Sequence, residues 1–185
     1  MSTILIAYAT DHGQTRKVSE RIASVLRGYG HEVRIRDVRA GPPEWAADAV
    51  LVGGSIRMGK HQRELIAFVR HHRSRLEQVP NAFFSVSLTA SHQTPKALKD
   101  VALTLARFVA DSGWKPQAMV PVAGALVYSE YGFFIRQMLR LISALAGGDT
   151  DTSRDYEYTD WAAVDGFARQ FAGTLPAPFA QQLAT

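Results

Sequence analysis

The chain has 185 residues, 46% hydrophobic and 21% charged, which is typical of one globular domain and not of a disordered or fibrous chain. It contains no cysteine, which excludes disulfides, thiolate metal sites, iron-sulfur clusters and cysteine nucleophiles, so redox chemistry requires a bound cofactor. The formal net charge of +4 suits an acidic small molecule or an anionic lipid surface, and because no nucleic-acid-binding motif occurs we expect no nucleic acid partner.

Short apolar or β-branched segments alternate with amphipathic helical patterns along the chain. The predicted strands are residues 3–8, 32–38, 49–53, 82–88 and 119–127, and the predicted helices are residues 15–29, 62–76, 96–112 and 161–173. No basic segment precedes the first apolar run, so we expect a buried strand there and not a signal peptide. The alternation predicts an α/β fold, a doubly wound parallel sheet of five strands with helices on both faces. The predicted fold forms one domain, residues 1–175, and is followed by a loose C-terminal tail at 176–185.

Residues 128–152 interrupt this alternation, because they follow the fifth strand where the last helix is expected. Within 133–145 the polar side chains fall along one helical stripe, and the remaining face is wide and apolar. Arg136 and Arg140 leave no run near the roughly 20 apolar residues of a membrane span, so we expect the helix to lie in the membrane interface. Packing on its own domain or on a second subunit is the alternative, and the sequence leaves homo-oligomer formation open. The predicted membrane or substrate contacts are Tyr128, Tyr131, Phe134, Arg136, Leu141 and Ile142.

Three loops lie where ligands bind in such folds, at the carboxyl ends of the strands: residues 9–15, 53–61 and 87–94. The first contains Thr10-Asp11-His12-Gly13-Gln14-Thr15 and leads into a helix. Backbone N–H groups at a helix N-terminus, two threonine hydroxyls and a glycine that permits close approach form a phosphate cradle. A helix cap with a turn glycine explains the same hexapeptide equally well. The missing Walker A lysine and GxGxxG spacing disfavour a nucleoside triphosphate or NAD.

Six segments carry a resemblance to a known family: DHGQTR at 11–16, GSIRMG at 54–59, AFFSVSL at 82–88, AGAL at 123–126, GGDTDT at 147–152 and YTDW at 158–161. With them the chain resembles the flavodoxin family and, more narrowly, the bacterial flavodoxin-like, menaquinone-dependent protoporphyrinogen oxidases. The resemblance implies an FMN cofactor, oxidation of protoporphyrinogen IX to protoporphyrin IX in haem biosynthesis, and a membrane quinone, menaquinone or ubiquinone, as acceptor. It also implies a peripheral position on the cytoplasmic side of the bacterial inner membrane. Residues 89–95 depart from the family by being shorter and less basic.

The expected cofactor contacts come from all three loops. They are Thr10, Asp11, His12, Gly13, Gln14 and Thr15, then Ser55, Ile56, Arg57, Met58 and Gly59, and finally Ser87, Leu88, Thr89 and Ala90. The second and third loops hold no Phe, Tyr or Trp, so we expect one flavin face to be open to a planar substrate. The alternative is that Tyr128 or Tyr131 covers the ring.

Positive charge in the second loop is expected to favour an anionic reduced flavin and to pair with the substrate propionates. Arg57 is the main candidate, in contact with substrate or flavin, whereas Lys60 and His61 are also explained as a solvated cluster. His12, His61 and His92 are candidate proton acceptors, and none is assigned as the base. No metal-ligand spacing occurs, so no metal site is predicted.

Two other functions use the same fold. A soluble electron-transfer flavodoxin predicts an acidic surface and an aromatic-stacked flavin, and neither is visible in the sequence. An NAD(P)H:quinone oxidoreductase is the second rival, although no nicotinamide-binding signature is recognisable.

Overall fold

The computed structural model describes residues 1–41, 46–126 and 156–176. Its strands are β1 Thr3–Ala9, β2 Glu32–Asp37, β3 Ala49–Arg57, β4 Lys60–His61, β5 Asn81–Ser87, β6 Ala118–Ala123, β7 Ala125–Leu126 and β8 Tyr156–Glu157. Its α-helices are α1 Gln14–Gly28, α2 Arg63–Leu76, α3 Pro95–Ser112 and α4 Trp161–Ala172. Two short 3-10 turns, Val38–Ala40 and Leu88–Ser91, follow β2 and β5.

The central sheet confirms the predicted doubly wound fold. Its parallel strands lie in the order β2-β1-β3-β5-β6. The order reverses direction between β1 and β3, so the loops after these strands flank the topological switch point, where such folds bind ligands. Two short strands, β4 and β8, were not predicted. Strand β4 returns antiparallel to the end of β3 and pairs Lys60 with Arg57.

Both faces of the sheet are covered by helices, because successive side chains of each strand point to opposite sides. On one face Ile4 and Ile6 pack with residues of α1 and α4. On the other face Leu5 and Ala7 pack with α2, α3 and the fully buried Trp114. A parallel sheet buried on both sides holds the strand ends, and therefore the three loops, in fixed relative positions.

The predicted fifth strand, 119–127, is wrong as a continuous element, because it breaks at Gly124. The Gly124 amide donates to the Ser87 carbonyl at 3.0 Å, and a Cβ at this position would lie 3.3 Å from the Ser87 carbonyl carbon. The chain then leaves the parallel sheet, and β7 pairs antiparallel with β8. The predicted insert at 128–152 and nearly all of the tail lie outside the described residues. Among the described helices, none is both long and apolar enough to cross a membrane.

Candidate active site

The first loop joins β1 to α1, and its geometry favours an anion cradle over a simple helix cap. Gly13 occupies the N-cap position with φ at +77°. Because glycine has no side chain, no side-chain oxygen at this position caps the helix. The Thr10 and Thr15 hydroxyls are buried and have no hydrogen-bond partner among the described residues. An unpaired buried hydroxyl costs free energy, about 1–3 kcal/mol. Two such hydroxyls beside the uncapped start of a helix fit the phosphate of a nucleotide-type cofactor.

Arg39 holds this loop from the 3-10 turn that follows β2. Its guanidinium donates to the Thr10 carbonyl at 2.8 Å and to both carboxylate oxygens of Asp37, at 2.9 and 2.6 Å. Hydrogen bonds from Arg39 lower the pKa of Asp37 although burial opposes this. Because the two ends of a trans peptide unit point in opposite directions, a carbonyl of Thr10 turned toward Arg39 turns the next amide away from it. Arg39 was not predicted as a site residue, because it lies 29 residues from Thr10 and no local pattern indicates the contact.

The Gln14 side chain makes a contact within the protein, whereas a contact to the cofactor was expected. Its side-chain amide donates to the Thr159 hydroxyl at 2.8 Å, and that hydroxyl donates to the Ala123 carbonyl at 2.8 Å. The Gln14 side chain therefore joins α1 to the end of β6. Thr159 was missed as a site residue, although it belongs to one of the segments that carry the family resemblance.

The second loop is a tight hairpin between β3 and β4. Met58 and Gly59 form its turn with positive φ of 49° and 73°, which suits a two-residue hairpin. Arg107 of α3 supports the turn by donating to the Gly59 carbonyl at 3.2 Å. The turn leaves the Met58 side chain 95% exposed. Ser55, earlier in the loop, accepts a hydrogen bond from the side-chain amide of Gln62.

The third loop packs beside the second one. The Ser87 hydroxyl accepts a hydrogen bond from the Ala90 amide at 3.2 Å and so begins the turn Leu88–Ser91. A cleft of about 300 Å³ is lined by Ile56 and Gly59 from the second loop, Ser87 and Thr89 from the third loop, and residues of α3. The structure thus brings together the two loops that were predicted to flank the flavin ring.

Tyr158, an aromatic residue that was not predicted as a site residue, lies near the third loop. Tyr158 lines a cleft that also includes Ala90 and Ser91. Tyr128 and Tyr131, the predicted alternatives for covering the ring, lie outside the described residues.

The expectation that His61 adds positive charge to the site is wrong. Its ring packs edge-on against Phe83 and Phe108, with centroid distances of 5.3 and 5.0 Å. Its Nε2 lies 3.0 Å from the Ser85 hydroxyl. Burial lowers the pKa of His61 to about 4, with Asp111 opposing the shift weakly, so the ring is neutral near pH 7. His61 is therefore neither a cation for the flavin nor a well-placed proton acceptor at the surface.

No metal centre is present in the described ranges, where no group of three or more His, Asp or Glu side chains is placed to hold an ion.

Comparisons with known proteins agree with this geometry. Residues 5–153 match the family model described as flavodoxin domain. The chain is 36% identical over 176 residues to protoporphyrinogen IX dehydrogenase (quinone) of Escherichia coli strain K12, covering 94% of this chain and 97% of that protein. It is 39% identical over 177 residues to the protein of the same name from Leishmania major, covering 91% and 74% of the two chains.

Two solved structures show the fold alone. A short-chain flavodoxin associated with a non-canonical PDU bacterial microcompartment superposes with a TM-score of 0.58 at 13% identity, covering 94% of this chain and 99% of that one. Oxidised flavodoxin 1 from Bacillus cereus superposes with a TM-score of 0.53 at 16% identity, covering 95% and 100%. With the dehydrogenases matched along almost its whole length, the chain belongs to the flavodoxin-domain family and, within it, to the quinone-linked protoporphyrinogen IX dehydrogenases.

Proposed function

We propose that this protein oxidises protoporphyrinogen IX to protoporphyrin IX, a late step of haem biosynthesis, with bound FMN and a membrane quinone as electron acceptor. The observation that carries the proposal is the match to two dehydrogenases of this name, at 36% and 39% identity over more than nine-tenths of the chain. Neither match is to an electron carrier, which disfavours a soluble flavodoxin.

The first loop supplies the donors that an FMN phosphate requires. Thr10 and Thr15 offer hydroxyls without partners, and the backbone of Asp11, His12 and Gly13 leads into the uncapped start of α1. Residues 55–59 and 87–90 would flank the flavin ring. Bound FMN would supply the two-electron acceptor that is needed for each of the three successive oxidations of the macrocycle.

The chain's own contribution is to position the substrate and to exclude water. The second and third loops carry no Phe, Tyr or Trp that would stack on the ring, so a planar macrocycle can approach it. Arg57 stays a predicted contact to substrate or flavin, and its side chain is exposed beside the Met58 turn. A neutral, half-buried His61 leaves no charged imidazole in the second loop.

Membrane contact through residues 128–152 completes the proposal. Quinone and porphyrinogen both partition into lipid, and the predicted apolar face with Phe134, Leu141 and Ile142 suits the interface of a membrane. The strands β7 and β8 precede and follow residues 127–155, and they pair with each other. Beside them the Tyr158 amide donates to the Gly124 carbonyl at 3.1 Å, next to the third loop. We infer a peripheral protein on the cytoplasmic face of the bacterial inner membrane, with menaquinone or ubiquinone as acceptor.

A steady-state assay with two donors tests the function. Purified, FMN-loaded protein is supplied with a menaquinone analogue and with either protoporphyrinogen IX or NADPH. We expect porphyrin fluorescence to appear with the first donor and negligible NADPH oxidation with the second. Rapid oxidation of NADPH with no porphyrin formed would instead identify an NAD(P)H:quinone oxidoreductase, and reduction by neither donor would favour an electron carrier.

The membrane part has its own test. Changing Phe134, Leu141 and Ile142 to Ser should reduce sedimentation with anionic liposomes and turnover with a long-tailed quinone together, because each buried side chain of this size is worth about 1.5–3 kcal/mol. Leu98→Ser is the matched control, since Leu98 is 52% exposed on α3. Normal liposome binding together with a lower melting temperature in the triple variant would show packing against protein instead.

A further inference from the structure

A cleft between the first loop and the β3–β4 hairpin is separate from the one that joins the second and third loops. Its volume is about 590 Å³, within the usual range for small-molecule sites. It is lined by Asp11, Arg57, Met58, Lys60, His61, Gln62 and Arg63. The cleft therefore adjoins the first loop on one side and the hairpin turn on the other.

The side chains of the three cations of this cleft have no partner in the described part of the chain: no side-chain hydrogen bond or ion pair there involves Arg57, Lys60 or Arg63. Most of the other described arginines are engaged. Examples are Arg21 with Asp165, Arg39 with Asp37, and Arg73 with Glu77. Three unpaired cations in one concave surface repel one another, and an anionic ligand relieves that repulsion.

The hairpin places two of these cations side by side. Arg57 and Lys60 are paired directly across β3 and β4, so their Cα atoms lie about 4.5–5.5 Å apart and their side chains leave the same face. Arg63 is the first residue of α2, where the helix dipole adds positive potential. Asp11 is the one carboxylate in the lining, and the neutral His61 adds no charge.

We propose that this cleft binds the propionate carboxylates of the porphyrinogen, with Arg57 and Arg63 as the principal donors and Lys60 as a third. The assignment rests on the proposed function. A porphyrinogen carries two neighbouring propionates on one edge of an otherwise apolar macrocycle. Guanidinium groups bind carboxylates through two parallel hydrogen bonds, which an ammonium cannot do. The phosphate of FMN is assigned to the Thr10 and Thr15 hydroxyls, which leaves these cations for a second anion.

Met58 supplies the apolar part of the same site. The turn holds it in a conformation with φ at 49°, uncommon for a residue other than glycine, and its side chain is 95% exposed. A thioether makes favourable contacts with aromatic-type rings and adapts its shape to them. A cationic wall with one exposed methionine beside it matches a ring that is apolar across its face and anionic along one edge.

Binding of a diacid porphyrin and of its dimethyl ester tests the proposal without requiring turnover. The holoenzyme is titrated with protoporphyrin IX and with protoporphyrin IX dimethyl ester, solubilised in the same detergent, and the change in the Soret band gives each Kd. The proteins compared are the parent, Arg57→Ala with Arg63→Ala, the corresponding double Lys variant, and Arg73→Ala as an exposed arginine control on the same helix.

We expect the parent to bind the diacid at least about tenfold more tightly than the ester. Compared at equal FMN loading, the double Ala variant should lose that preference because it binds the diacid more weakly. The double Lys variant should retain part of the preference, and Arg73→Ala should retain all of it. A double Ala variant that still prefers the diacid overturns the proposal, and so does a parent without any preference. Because binding is read directly, failure of the donor assay would refute the proposed reaction, whereas failure here would refute only the subsite.

Discussion

Replacing Thr15 by valine should move stability and cofactor affinity in opposite directions. Valine has nearly the shape of threonine, so packing at this fully buried position is conserved while the hydroxyl is removed. In the apoprotein that hydroxyl is buried without a partner, at a cost of about 1–3 kcal/mol, so the variant should be equally stable or more stable. Its hydrogen bond to a phosphate is charge-assisted and worth about 1.5–3 kcal/mol, so the Kd for FMN should rise about 10- to 150-fold.

Quenching of flavin fluorescence gives the Kd, and urea unfolding of the apoprotein gives the stability. Ser19→Ala is the matched control, because the Ser19 hydroxyl donates to the Thr15 carbonyl at 2.8 Å and is buried on the same helix. That variant should lose stability and change FMN affinity little. Apoprotein destabilised by Thr15→Val, with FMN affinity unchanged, would show that the loop is an ordinary helix start and would refute the cradle.

Three further predictions follow from other contacts. Arg39→Ala should weaken FMN binding about tenfold, because the first loop loses the hydrogen bond to Thr10, and fluorescence titration measures this. The neutral form of His61 is favoured by folding, so its contribution to stability is complete above about pH 6.5 and falls toward pH 4; urea unfolding should show a loss of up to about 2 kcal/mol between pH 7.5 and 5. Gly53→Ala should lower the melting temperature, because its Cβ would lie 2.1 Å from the buried Phe84 ring.

Each of these has an outcome that contradicts it. For the arginine, Arg34→Ala on the preceding strand β2 is the control, and equal FMN affinity in both variants would remove Arg39 from the site. For the histidine, an NMR titration of the His61 ring with a midpoint near 6.5 would show that it is not buried in solution. For the glycine, a second change of Phe84 to Leu should restore part of the melting temperature, and no restoration would locate the clash elsewhere.

The fold was predictable because its strands and helices are specified by local periodicity. The continuous apolar runs of β1 and β3, which are buried on both faces, and the amphipathic face of α1 place the limits of these elements within a few residues of those observed. The fifth strand was predicted too long, since its break depends on Gly124 approaching Ser87, a contact between distant segments. Residues 133–145, predicted as an amphipathic helix, lie outside the described residues, and that prediction stays untested.

The site was predictable at the level of loops but less so for single side chains. The strand order of a doubly wound sheet indicates which loops lie close together. In the structure, the described residues of those loops lie close together as well. The roles of Gln14, Arg39 and His61 depend on partners 145, 29 and 24 residues away, so local sequence carries no signal for them. Charge in the sequence also gave no indication that His61 turns inward to Phe83 while Arg63 lines the cationic cleft.

The bond between Gln14 and Thr159 connects two parts of the chain that have different proposed tasks. Gln14 begins the helix at the first loop, and Thr159 follows β8 by two residues, where the chain returns from residues 127–155. Lys17 and Glu157 form a second link between the same two segments, with 3.4 Å between Nζ and Oε2. Coupling between two binding sites is reciprocal. If binding of a lipid or quinone shifts β8 relative to α1 and so changes the protein's affinity for the cofactor, the cofactor changes the protein's affinity for that lipid or quinone by the same factor. If residues 128–152 bind a membrane as proposed, loading with cofactor and attachment to that membrane are two coupled equilibria. Measuring either one in the presence and absence of the other ligand gives their coupling free energy.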